Sequence, residues 1–273
     1  MKRLLALLTL VLALTGCSAP ADNSTNDDTA RKTLKVGMEC NYAPFNWTQV
    51  EDSDTAEPIS SVDFCDGYDV VIAARIASEL NMDVQIVKTD WDNLIPALNA
   101  NDIDLIIAGM TETPDRAEAV NFTKPYYESQ MVAVVRANSE LTGITSIQEL
   151  SGYNVLGQLN TIYDEIIDQI EGVNHMVPQD SYPRMVLSLQ AGEADAITAE
   201  MPVAQGVVAA NPDLAIVTFA EGNGFVADTS VSVAVRKTDT DLLEQVQAVL
   251  DSITQEERNT MMQEATNRQP ANE

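Results

Sequence analysis

The sequence predicts an α/β fold of two lobes, each built on a mixed, mostly parallel sheet, joined by two extended crossovers. Three observations predict it. From residue 33 onward, short apolar runs alternate with amphipathic helical patterns, that alternation runs twice, and two valine-rich extended runs, 131–136 and 231–236, follow the two rounds. Strand and helix in alternation select a mostly parallel sheet with helices on both faces.

In order, residues 34–37 read as a first strand, and residues 69–80 carry Val70, Ala73, Ala74, Ile76, Ala77 and Leu80 at helical spacing, ending at Asn81. Residues 84–87 are a second strand. Asp90 can cap a helix whose apolar stripe is Trp91, Leu94, Ile95 and Leu98, and residues 105–108 form a fully buried strand. The second round places strands at 154–159, 196–198 and 216–219. Its helices are striped by Ile162, Ile166, Ile167 and Ile170, then cover 182–191 and 203–210. Helices at about 240–254 and 256–267 finish the chain and pack back on the first lobe, which makes that lobe discontinuous: 33–132 plus 233–273, with 133–232 as the second. Two such lobes leave a cleft between them, where ligands gather at the carboxyl ends of parallel strands.

The amino terminus speaks to compartment. Lys2 and Arg3 precede a short apolar stretch, 4–14, too short to span a bilayer, which needs about 20 residues, and fitting a secretory segment. It meets Leu14-Thr15-Gly16-Cys17, which resembles the bacterial lipobox, in which the cysteine is lipidated; the alternative is an ordinary signal peptide with an incidental cysteine. The expected organisation is a signal peptide at 1–16, then a tether at 17–32 rich in Ser, Thr, Asn and Asp with no apolar period. The formal charge is −27, and removing Lys2 and Arg3 takes it to −29. So acidic a chain argues against nucleic acid and against anionic headgroups. Beyond Cys17 there are two cysteines, Cys40 and Cys65, which either form a disulfide closing the insertion between them or stay as buried thiols. With the single His175 they are too few for a zinc site, and no cofactor or metal is expected. His175 itself reads as incidental, in a loop before a strand.

The stretch with the most chemistry is 108–116, Ala-Gly-Met-Thr-Glu-Thr-Pro-Asp-Arg, directly after a buried strand. Gly109 exposes its backbone, Thr111 brings a hydroxyl, Thr113-Pro114 starts a short helix, and Arg116 supplies a planar fork matched to a carboxylate. From spacing alone Arg116 serves equally well as an ion-pair partner of Glu112, Asp115 or Glu118 on a solvated turn.

Residues 34–267 resemble the family 3 solute-binding proteins of amino-acid ABC transporters. The matching segments are Gly37-Met38-Glu39 with Tyr42-Ala43-Pro44-Phe45, Gly67-Tyr68-Asp69, Trp91 to Leu98, Asp104 to Arg116, and Phe122 to Tyr127, followed by Gln158 to Thr161 and Asp195 to Ala204. The resemblance implies a type II periplasmic-binding-protein fold, a Venus-flytrap closing at its crossovers on an L-amino acid, which a permease and its ATPase then receive. It makes the chain an extracytoplasmic lipoprotein held to the membrane by a lipid on Cys17, a monomer that binds no nucleic acid and is not an enzyme.

The resemblance also assigns roles. Arg116 clamps the ligand carboxylate with Thr111 and the amides near Thr161 and Ile162. Glu200, standing where the family usually has aspartate, takes the α-ammonium together with the Gly109 carbonyl, next to Met110. Tyr42 and Trp91 flank the side chain and Glu39 receives a distal cation, so arginine or lysine is favoured over glutamine. Trp91 as helix core and Glu39 as a surface carboxylate are the alternatives. Asn160 replaces a common glycine. The rival functions are a dehydratase-like enzyme in the same cleft, with Glu200 as acid, and an amino-acid sensor or adhesin.

Overall fold

The computed structural model describes residues 31–270. Cys17 and the proposed signal peptide lie outside the described residues. The first sheet has the order β6-β1-β7-β14-β8. It comprises β1 (Thr33–Met38), β6 (Asp83–Lys88), β7 (Leu105–Ile106), β8 (Val120–Phe122) and β14 (Ala234–Arg236). β1 pairs in parallel with β6, Thr33 opposite Asp83 through Met38 opposite Lys88, and with β7 on its other side. β14 alone runs against its neighbours β7 and β8.

The second sheet repeats this order with β11-β10-β12-β9-β13. Its strands are β9 (Met131–Arg136), β10 (Asn154–Leu156), β11 (Asn174–His175), β12 (Ala196–Glu200) and β13 (Leu214–Val217). Here β9 is the antiparallel member, facing β12 and β13. The two valine-rich runs are therefore the antiparallel strands of the lobes they enter. The chain crosses just before them, where Tyr127 and Val231 form an antiparallel bridge.

One arginine in each lobe makes the repeat visible at the level of side chains. Arg236, at the end of β14, donates to the Leu98 and Ile103 carbonyls and pairs with Asp104 at 3.2 Å. Arg136, at the end of β9, donates to the Leu189 and Ala194 carbonyls and pairs with Asp195 at 3.0 Å. In both, the guanidinium adds a charge-assisted hydrogen bond to carbonyls at the end of a helix and in the turn that follows.

Helix α1 (Tyr68–Glu79) buries Val70, Ile72, Ala73, Ile76 and Ala77. The C-terminal helices α7 (Thr240–Ser252) and α8 (Gln255–Arg268) pack against it. The expected helix after Asp90 opens as a 3₁₀ turn over Trp91–Asn93, uncapped by the Asp90 side chain, and becomes α2 (Leu94–Asn99) only afterwards. Likewise the isoleucine-striped helix is α4 (Ile162–Glu165) followed by a 3₁₀ turn, Ile166–Gln169, tightened before Gly172. The remaining helices are α3 (Pro114–Ala119), α5 (Tyr182–Gln190) and α6 (Met201–Ala210).

The insertion between the cysteines is a small antiparallel sheet of β2 (Asn41–Tyr42), β3 (Asn46–Gln49), β4 (Glu57–Pro58) and β5 (Phe64–Asp66). A Cys40–Cys65 disulfide closes it, with Cα atoms 5.7 Å apart. His175 corrects the expectation of an incidental loop residue. It lies in β11, paired to β10, with Nδ1 2.9 Å from Asp168 and Nε2 2.8 Å from Asp164.

Candidate functional site

The carboxyl ends of β1, β7 and β10 converge on a narrow cleft. One wall carries Glu39, Tyr42, Trp91, Gly109, Thr111 and Arg116, the other Gln158, Thr161, Ile162 and Tyr163. Each wall has a local cause. Thr113 caps α3, its hydroxyl accepting the Arg116 N–H at 3.3 Å with Pro114 at the first helical position, and this fixes where Arg116 leaves the backbone. Thr161 caps α4, accepting the Tyr163 N–H at 3.2 Å while donating to the Gln158 carbonyl at 2.8 Å. Gly109 sits at φ +59, and a Cβ there would stand 3.1 Å from the Tyr42 ring, so both conformation and space call for glycine.

The cleft is lined by one cation, Arg116, and one carboxylate, Glu39. Arg116 donates to the Thr111 carbonyl at 2.7 Å and to the Asn160 carbonyl at 3.0 Å, and its guanidinium lies 5.0 Å over the Trp91 ring, a cation–π distance. Glu39 is 6% exposed. Burial pushes its carboxyl up to about 7, Asp90, Asp92 and Asp180 push the same way, and the nearby Gln158 amide works against them. The Gln158 amide nitrogen is buried and has no hydrogen-bond partner of its own. It faces the Glu39 carboxylate in the cleft.

Met110 and Glu200 do not line the cleft. The Met110 carbonyl accepts the Ser232 N–H at 2.8 Å. Glu200 is fully buried behind Tyr163, whose hydroxyl donates to its carboxylate at 2.5 Å, while Ser129 donates at 2.6 Å. Burial pushes the Glu200 carboxyl up to about 7 and these two donors offset part of that. The Tyr42 hydroxyl meets the Tyr163 hydroxyl from the opposite wall. With the Tyr163 proton directed to Glu200, Tyr42 is the donor in that pair. Ser129 lies in the first crossover, and the Thr229 hydroxyl in the second donates to its carbonyl at 2.6 Å. The Glu200 carboxylate is thus linked to both crossovers as well as to the cleft wall.

Residues 34–265 match the bacterial extracellular solute-binding proteins, family 3. The chain belongs to this family. A probable histidine-binding protein of Campylobacter jejuni is 32% identical over 193 residues, 71% of this chain and 70% of that one. Putative ABC transporter arginine-binding protein 2 of Escherichia coli K12 is 28% identical over 225 residues, 82% and 86% of the two chains. An amino acid ABC transporter substrate-binding protein of Streptococcus pneumoniae bound to L-arginine aligns with a TM-score of 0.75 at 26% identity, over 86% of this chain and 94% of that one. Holo ArgBP from T. maritima gives 0.69 at 32% identity, over 82% and 92%.

The architecture of this family 3 solute-binding protein is the type II periplasmic-binding-protein fold, its two mixed sheets joined by two crossover strands. No helix among the described residues is long and apolar enough to cross a membrane. Likewise, among the described residues no group of three His, Cys, Asp or Glu side chains is placed to hold a metal ion. Three residues of the lining, Ala108, Gln158 and Tyr163, are not among the candidates that the sequence points to; the first two lie within matching segments, and Tyr163 falls outside the apolar stripe of its helix.

Proposed function

We propose that this solute-binding protein captures a basic L-amino acid, arginine before lysine, in its interlobe cleft and delivers it to an ABC permease and its ATPase. In this reading Arg116, the Thr111 hydroxyl and the amides of Thr161 and Ile162 take the α-carboxylate. The Gly109 carbonyl and the Tyr163 hydroxyl, backed by Glu200, take the α-ammonium. The side chain runs between Tyr42 and Trp91 toward Glu39. Anchoring through a lipid on Cys17, after cleavage of residues 1–16, keeps the monomer at the outer face of the membrane.

The observation that carries the proposal is Glu39, a carboxylate buried in the lining of the same cleft as Arg116 with no cation beside it. An uncompensated buried carboxylate is costly, and a guanidinium arriving there removes the cost. The arginine-binding relatives named above support the same ligand class. Glu200, held by Tyr163 and Ser129 behind the wall, is poorly placed to act as an acid on a substrate, which supports binding over chemistry.

Calorimetry with arginine tests the proposal through Arg116→Ala. Truncating one partner of a buried charge pair costs about 2–5 kcal/mol, so binding should fall below detection for every amino acid. Wild-type affinity in that variant would remove Arg116 from the site.

A further inference from the structure

We infer that Asp69 is a positioning residue for the cleft: through the Tyr126 hydroxyl it fixes the Gly109 peptide between the two crossovers. Asp69 is the second residue of α1 and is fully buried. One carboxylate oxygen accepts the Tyr126 hydroxyl at 2.7 Å, the other the Asn46 side-chain amide at 2.8 Å. The Tyr126 oxygen in turn accepts the Gly109 N–H at 3.1 Å.

A phenol can rotate its proton, so by itself it is a poor anchor for an amide. Here the carboxylate fixes that proton on its own side, which leaves a lone pair facing Gly109. Tyr126 is itself held firmly. Its ring stacks on Tyr68 at 5.9 Å, its carbonyl accepts the Tyr68 hydroxyl at 3.0 Å, and its N–H donates to Val231 in the second crossover at 2.8 Å. One residue beyond Val231, the Ser232 N–H donates to Met110 at 2.8 Å. The Gly109-Met110 segment is therefore held from both crossovers, from one side through Asp69.

The partners of Asp69 do not explain it as a stabilising charge. Its side-chain donors Tyr126 and Asn46 are neutral, as is the Gly109 N–H that also favours its ionised form, and the charge that acts on it, Glu200, opposes ionisation. A buried carboxylate without a cation destabilises a fold. What it supplies is direction. Gly109 occupies a left-handed conformation, φ +59, against the Tyr42 ring, and freeing its N–H would let the Ala108–Gly109 peptide turn and disturb the backbone that lines the cleft.

The consequence for ligand rests on the proposed function, so the experiment separates the two. Three variants are compared: Tyr126→Phe, Asp69→Leu and Asp69→Asn. Asp69→Asn keeps an oxygen for Tyr126, and Asn46, whose side-chain oxygen has no partner, can turn it toward the new amide. In protein stripped of ligand, exchange of the Gly109 amide followed by NMR should quicken about tenfold or more in Tyr126→Phe and Asp69→Leu and stay unchanged in Asp69→Asn. Arginine affinity should fall about 5- to 100-fold in the first two, hold within about threefold in Asp69→Asn, and, when Tyr126→Phe and Asp69→Leu are combined in one chain, be no worse than in the weaker-binding of those two single variants. Unchanged Gly109 exchange in Tyr126→Phe, or losses that simply add, would overturn the inference, and Tyr126→Phe decides alone should Asp69→Leu not fold. If wild-type protein fails to bind arginine, the proposed function falls and the exchange measurement still decides the relay.

Discussion

The Asn160 side chain reaches across the cleft and donates to the Asp92 carboxylate at 2.8 Å. The same residue's carbonyl accepts from Trp91 at 3.1 Å and from Arg116 at 3.0 Å, so one residue of the second lobe holds three of the first. Asn160 sits at φ 57, a left-handed conformation that asparagine tolerates and glycine adopts freely. Asn160→Gly should therefore keep the backbone contacts and delete only the bond to Asp92. An exposed hydrogen bond is worth about 0.5–1.5 kcal/mol, so the closed-to-open ratio should drop about 2- to 10-fold. Small-angle scattering of ligand-stripped protein should give a larger radius of gyration for the variant. Identical curves would mean the clasp carries no weight.

Binding should release protons near neutrality. Burial raises Glu39, Asp69 and Glu200 to about 7 each, from ordinary values of 4.5, 3.8 and 4.5. Between those ordinary values and about 7, the folded protein holds protons that the unfolded chain has released, so stability falls as pH rises through that window. His175 adds to the trend. Burial works against its charge, but Asp164 and Asp168 raise it overall, and the stability that brings is lost as pH rises through its folded value. A guanidinium at Glu39 favours the ionised carboxylate, so arginine affinity should increase from pH 5 to 8. Calorimetry at pH 6.5 in buffers of different ionisation enthalpy should show net proton release, and a smaller one in Glu39→Gln. Equal heats across buffers would contradict this.

Cys40 and Cys65 close a loop of separation 25, and Cys40 follows Glu39 directly. Replacing both with serine should lower stability by about 2–4 kcal/mol, mainly by freeing the unfolded chain. Arginine binding should weaken as well, because the Cys40 carbonyl, which accepts the Thr48 hydroxyl at 2.7 Å, lies beside the residue expected to select the ligand. An unchanged urea midpoint would show that the small sheet holds its end of the cleft without the bond.

What the sequence made legible were features written in local pattern. The buried strand leading into Gly109, the Thr113-Pro114 start of α3, and Arg116 three residues beyond its cap all follow from spacing. So do the two rounds of strand and helix. What stayed hidden depends on residues meeting from distant parts of the chain. Tyr163 reaches Glu200 from 37 positions away and Tyr42 from 121, and Asp69 reaches Tyr126 across 57. No periodicity encodes such meetings. The small sheet of 41–66 was hidden for another reason: its strands are two to four residues long, too short for alternation to register. Glu200 was identified as a residue of the site, but its separation from the cleft by Tyr163 depends on packing alone.

Ligand identity is the central claim, and a thermal-shift panel of the twenty amino acids on ligand-stripped wild-type protein and Glu39→Gln tests it most directly. At 100 times its dissociation constant a ligand stabilises by about 2.7 kcal/mol. Arginine and lysine should raise the wild-type melting temperature most, with aspartate and glutamate inert. In Glu39→Gln the basic pair should lose that lead while glutamine holds or gains. A wild type that responds best to glutamine or an acidic amino acid, or a Glu39→Gln variant that keeps its basic preference intact, would contradict the account.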